Sequence, residues 1–136
     1  MSDCLFCRII CHDIRAHIIF EDDAALAFLD VHPRTIGHTL VVPRLHVATL
    51  RELPHATLAP YFSVVQKVAV RIEEVLRPEG MTIGMNQGRA SGQEVAHLHT
   101  HLMPRFVSDG GGSLQSVVHH PPQEDLTDVA KKLKMS

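Results

Sequence analysis

The segment His97-Leu98-His99-Thr100-His101-Leu102-Met103-Pro104 restricts the fold of this chain more than any other. It alternates with period two, the pattern of a strand whose successive side chains face opposite sides of a sheet. A strand over 98–103 sends His97, His99 and His101 to one face, with successive rings roughly 6–7 Å apart. Imidazoles in a row are costly to bury without partners. Such a face binds a metal, holds an anion or meets solvent.

Other strands follow from similar patterns. Residues 17–21 and 24–30 read as two strands joined at Glu21-Asp22-Asp23, an antiparallel hairpin. Pro33 and Gly37 mark residues 32–37 as a loop. Residues 38–42 read as a buried strand closed by Pro43, and 81–86 as a further strand. Residues 4–11 read as a short helix. The clearest helix is predicted over 57–76, where Leu58, Phe62, Val65, Val68, Ala69, Ile72, Val75 and Leu76 form an apolar stripe. Thr57 is its expected cap, Pro60 falls in its first turn and Pro78 stops it. Residues 109–113 read as a flexible loop. A last helix over 123–134 is acidic early and basic late, which suits the helix dipole. The expectation is an α+β fold, a mainly antiparallel five-stranded sheet with one face covered by the long helix.

A length of 136 residues fits one domain, with a core over 4–106 and a loop and tail over 107–136. Apolar residues at 45% and charged residues at 21% are globular proportions. A net charge of −2 argues against nucleic acid or an anionic membrane held by bulk positive charge. No apolar run approaches the ~20 residues of a membrane helix. Met1-Ser2-Asp3-Cys4 shows no secretory pattern, so the expected location is the cytoplasm. Three cysteines, few and odd in number, argue against a disulfide framework. Eleven histidines are abundant material for metal ligation or proton and phosphoryl transfer.

Two further motifs bear on chemistry. Asn86-Gln87-Gly88-Arg89-Ala90-Ser91-Gly92-Gln93 is a strand end followed by a small-residue loop, whose backbone N–H groups suit phosphate oxygens. Leading into the histidine strand, it points to chemistry at phosphorus. Cys4 and Cys7 share a face of a helical turn and would supply half of a tetrahedral zinc site. Cys11 lies on the same face and is the poorer ligand. The competing structural readings are ordinary buried thiols at Cys4 and Cys7, core histidines at His38 and His46, a strand-end carboxylate at Asp30, and plain core for the apolar residues. His12, His17, His32, His55, His119 and His120 read as surface or loop residues.

From Cys4 to Arg105 these motifs, together with Gly37-His38-Thr39-Leu40-Val41-Val42-Pro43 and Leu26-Ala27-Phe28-Leu29-Asp30, resemble the histidine-triad (HIT) superfamily in its bacterial-type branch. The resemblance implies a nucleotide-binding hydrolase or transferase. His99 would be the nucleophile at the α-phosphorus of a purine nucleotide conjugate, such as a phosphoramidate or dinucleoside polyphosphate. His101 would contact the phosphate, and His97 and His38 would complete the catalytic group. Asn86 and Gln93 would contact phosphate, and Asp30 the ribose hydroxyls. Leu5, Phe6, Ile9, Phe28, Leu29 and Val31 would form the base slot. Zinc would be structural, held by Cys4, Cys7, His46 and His97, and the protein would be a homodimer.

Two residues depart from the family pattern. Leu29 stands where some relatives carry histidine. Glu94 stands where some carry a serine thought to protonate the leaving group. The alternatives are a nucleotide-binding regulatory or scaffold protein with incidental hydrolysis, and a metal hydrolase with His97, His99 and His101 on one catalytic ion.

Overall fold

A computed structural model describes residues 3–136; Met1 and Ser2, where the expected domain begins, lie outside the described residues. Five strands, β1 (Ile18–Glu21), β2 (Ala25–Leu29), β3 (Thr39–Pro43), β4 (Gly80–Gly84) and β5 (Thr100–Arg105), form one sheet in the order β1-β2-β3-β5-β4. Every neighbouring pair is antiparallel. The helices are α1 (Leu5–Ile10), α2 (His55–Leu76) and α3 (Leu126–Leu133). This is the expected α+β architecture.

Strand alternation divides the core into two layers. Ala25, Ala27 and Val41 pack with Tyr61, Val64, Val65, Val68, Ala69 and Ile72 of α2. Leu26, Phe28, Leu40 and Val42 pack on the other face with Phe6, Ile9 and Ile10 of α1. The sheet is therefore covered on both faces, where the sequence predicts cover on one. β2 and β3 read as unbroken apolar runs for this reason.

The inward face of α2 is 61, 64, 65, 68, 69 and 72, one position off part of the predicted stripe. Phe62 and Val75 point outward, at 38% and 56% exposure. The helix begins two residues before the predicted start. Thr57 accordingly lies inside its first turn and donates its hydroxyl to the Pro54 carbonyl at 2.7 Å without capping. Pro60 falls sixth in the helix, beyond the first turn. Gly37, just before His38, has φ +81°, a left-handed backbone that calls for glycine, and an added Cβ there would press on the Leu76 side chain at the end of α2.

Two strand boundaries matter for function. β4 ends at Gly84, two residues before the predicted end, so Asn86 is in the following loop. β5 runs two residues later than predicted, so His97 and His99 precede the strand and only His101 lies within it. Asp125 caps α3 by accepting the Thr127 N–H at 2.8 Å, and Lys131 and Lys132 occupy its last turn.

Candidate active site and metal cluster

Once outside the ladder, the three histidines no longer act as one row. His97 is fully buried, and its Nε2–H donates to the Pro43 carbonyl at 2.8 Å. Its Nδ1 lone pair therefore faces the other way, 3.5 Å from Cys4 Sγ, 3.6 Å from Cys7 Sγ and 3.2 Å from His46 Nδ1. His46 Nδ1 is also 3.2 Å from Cys7 Sγ. Tetrahedral zinc, with bonds of ~2.0 Å to nitrogen and ~2.3 Å to sulfur, needs donor separations of about 3.3–3.8 Å. The donors Cys4, Cys7, His46 and His97 have the chemistry of a tetrahedral zinc site, and separations of 3.2 to 3.6 Å lie close to its spacing. Cys11 is exposed and outside the cluster.

His99 is ordered by its own chain. Its Nδ1–H donates to the His97 carbonyl at 2.7 Å, which leaves a lone pair on Nε2. The Phe6 ring packs on it in a T-shaped pair at 5.1 Å between centroids, and His101 lies at the same 5.1 Å.

His101 is ordered through His38. The Arg34 backbone N–H donates to His38 Nδ1 at 3.1 Å, so the His38 proton sits on Nε2. That proton is donated to His101 Nδ1 at 2.9 Å, leaving His101 with a donor at Nε2. Burial lowers the pKa of His38, against the opposing pull of Asp30. Burial first, then the neighbouring His99 and His38, pushes His101 down to about 4. Both rings are neutral near pH 7. Asp30, His38 and His101 bring potential ligand atoms within 4.8 Å of one another. The Arg34 N–H nevertheless keeps the facing His38 nitrogen protonated, so these residues form a proton-ordering chain and not a metal site. The single-ion arrangement of His97, His99 and His101 also fails, because both ring nitrogens of His97 are directed elsewhere.

A cleft of about 1320 Å³ opens over His99 and His101. Its lining includes every residue of the expected base slot: Leu5, Phe6, Ile9, Phe28, Leu29 and Val31. Asp30, His38, Asn86 and Glu94 line it as well. Asp30 is partly engaged, since Oδ1 accepts the His32 N–H at 2.9 Å and Oδ2 is 3.6 Å from His38 Nε2.

Gln93 stands apart. Its Oε1 accepts the Gly88 N–H at 2.8 Å and its Nε2 donates to the Ala48 carbonyl at 2.7 Å, so its amide braces the loop and does not line the cleft. The N–H groups of Gly88, Ser91, Gly92 and Gln93 are likewise bonded within the loop, which removes them as an open phosphate cradle. Ile14, Ala16, Leu40 and Val95 extend the apolar wall beyond the expected residues. The Arg34 contribution comes from its backbone, which no side-chain motif announces.

An antiparallel five-stranded sheet with this ordered histidine group beside a Cys2His2 cluster defines a histidine-triad protein. The chain belongs to the HIT family, whose HIT domain model matches residues 12–108. It is 40% identical over 135 residues to a HIT-like protein of Methanocaldococcus jannaschii, covering 96% of this chain and 98% of that one. An adenylylsulfatase of Arabidopsis thaliana is 34% identical over 119 residues, covering 88% of this chain and 60% of the relative. A solved HIT-family structure from Bacillus subtilis superimposes with a TM-score of 0.84 at 36% identity, covering 99% and 100% of the two chains. A zinc-bound histidine-triad protein from Mycobacterium smegmatis gives 0.73 at 40% identity, covering 79% and 78%.

Proposed function

We propose that this protein is a nucleotidyl hydrolase or transferase acting at the α-phosphorus of purine nucleotide conjugates, through a covalent intermediate on His99. The observation that carries the reading is the 2.7 Å bond from His99 Nδ1–H to the His97 carbonyl, which leaves the Nε2 lone pair of a cleft-lining ring available for attack. Nε2 forms a bond to phosphorus as the bond from phosphorus to the leaving nitrogen or oxygen breaks. The leaving group departs with that electron pair and takes up a proton. Water then attacks phosphorus and gives up a proton to solvent, the N–P bond returns its electrons to Nε2, and a nucleoside monophosphate leaves. Two easier displacements replace one difficult one.

His101 Nε2–H would donate to a phosphate oxygen, and His38 would keep that proton in place. Asn86 would contact the phosphate, Asp30 would accept from ribose hydroxyls, and the apolar slot would take the base. Gln93 acts in this reading as a brace for the phosphate-side loop. Cys4, Cys7, His46 and His97 would hold zinc, which supplies a structural tie between the N-terminal turn and the backbone that orders His99. The reading also takes residues 1–136 as one domain, with the catalytic core in 4–106. It includes a homodimer in the cytoplasm; among the described residues, no helix is long and apolar enough to cross a membrane.

The test is chemical trapping. The protein is incubated with an adenosine phosphoramidate and quenched in denaturant, and its peptides are weighed. The expected result is one adenylyl increment on the peptide containing His99, absent in His99→Ala. Turnover without any trapped species in rapid-quench samples counts against the covalent route.

A further inference from the structure

Tyr61 of α2 lies on the far side of the sheet from the cleft and is 1% exposed. Its hydroxyl donates to the Val41 carbonyl at 2.8 Å and lies 2.6 Å from Thr100 Oγ1. A phenol has a single proton, so with that proton on Val41 it is the Thr100 hydroxyl that donates to the phenol oxygen. Val41 and Thr100 face each other across β3 and β5, at the end of a register that runs Thr39↔Leu102, Leu40↔His101 and Val41↔Thr100. His99 is the next residue, the first one past that rung. Beyond it the backbone is held by the Leu98 N–H on the Val47 carbonyl at 2.7 Å.

Nothing in the packing of this layer calls for hydroxyls. The same buried layer includes Ala27, Val41, Val64, Val68, Leu98 and Leu102. Buried polar groups in such surroundings stabilise little beyond an apolar pair, but they fix geometry when fully bonded. Thr100 also stands between the two histidines that line the cleft. We infer that Tyr61 and Thr100 are positioning residues for His99, their joined hydroxyls clipping shut the last rung between β3 and β5, past which the ring of His99 lines the cleft.

This inference rests on the chemistry proposed at His99, and its test separates the two. Thr100→Val, Thr100→Ser and Tyr61→Phe are compared with the unaltered protein on an adenosine phosphoramidate, with amide exchange measured over 97–101. Thr100→Val and Tyr61→Phe are expected to lower kcat about tenfold with KM unchanged within about twofold, because misplacement of a reacting atom acts on the chemical step. Thr100→Ser, which keeps the hydroxyl, should restore kcat. Exchange over 97–101 should quicken in Thr100→Val and not in Thr100→Ser.

Unchanged kcat in Thr100→Val, or failure of serine to rescue it, overturns the inference. If the unaltered protein turns over neither a phosphoramidate nor a dinucleoside polyphosphate, the proposed function falls. The exchange comparison then decides the clip alone, with unaltered exchange in Thr100→Val overturning it. If Tyr61→Phe does not fold, the Thr100 pair carries the test.

Discussion

His38 Nε2 lies 2.9 Å from His101 Nδ1, although the two residues are 63 positions apart. The bond has a direction, set by the Arg34 N–H that occupies the other nitrogen of His38. His101 is thereby left with a proton facing the cleft. Replacing His38 by Ala frees the His101 tautomer, and kcat should fall about 100-fold, in the range expected when one positioned proton donor is lost. His38→Asn, whose amide can still donate, should lose less. Equal activity in His38→Ala and the unaltered protein would remove His38 from the mechanism.

Stability should depend on pH through the same pair. His101 is lowered from 6.5 to about 4, and His38 is lowered as well. Below the ordinary histidine range the unfolded chain takes up protons that these rings refuse in the fold, so stability rises with pH between about 4 and 6.5 and levels above. Urea unfolding midpoints should therefore be lower at pH 5 than at pH 7.5. The slope should be shallower in His101→Gln. Identical midpoints in the unaltered protein at both pH values would contradict the burial of these rings.

Metal analysis of the purified protein should find about one zinc per chain, and none in Cys4→Ser. Loss of the metal removes a tie between α1 and the backbone before β5, so the melting temperature should drop by about 10 °C. Chelation should reproduce the shift in the unaltered protein and leave Cys4→Ser unmoved. A metal-free protein with an unshifted melting curve would assign the cluster to plain packing.

Leaving-group preference should respond to Glu94. Among the cleft-lining residues Arg15, Arg34 and Arg105 are matched by Asp30, Glu94 and Asp109, and Arg105 is already bonded to Asp109 at 2.7 and 3.1 Å. The cleft thus offers little net positive charge to a polyphosphate. Glu94→Gln should raise kcat/KM for a dinucleoside polyphosphate about threefold or more at low salt, and less at high salt, as screening requires. Activity on a phosphoramidate with an uncharged leaving group should change less. The same ratio between the two substrates in both proteins would show that Glu94 does not discriminate.

The sequence by itself determined the parts that rest on local pattern. Apolar runs bounded by turn residues marked β2 and β3, alternation marked the histidine segment, and helical spacing marked α2 and part of its buried face, because these patterns arise from backbone geometry within a few residues. The motifs also marked Cys4, Cys7, His46 and His97, which meet in one cluster, and His38, His99, His101 and the apolar positions of the slot, which line one cleft. The parts decided by tertiary structure are those in which a polar group chooses between partners distant in the chain. Alternation alone placed three histidines together; only the Pro43 carbonyl, reached by folding β3 against the segment before β5, turns His97 away to the cysteines. Gln93 carries the right group for phosphate, yet Ala48 and Gly88 take both ends of its amide. Tyr61 falls outside the apolar stripe the sequence predicts for α2, and its place is seen only with its hydroxyl against Val41 and Thr100. A ring's tautomer and an amide's partner depend on where remote carbonyls and N–H groups come to rest, and that information exists only once the chain has closed on itself.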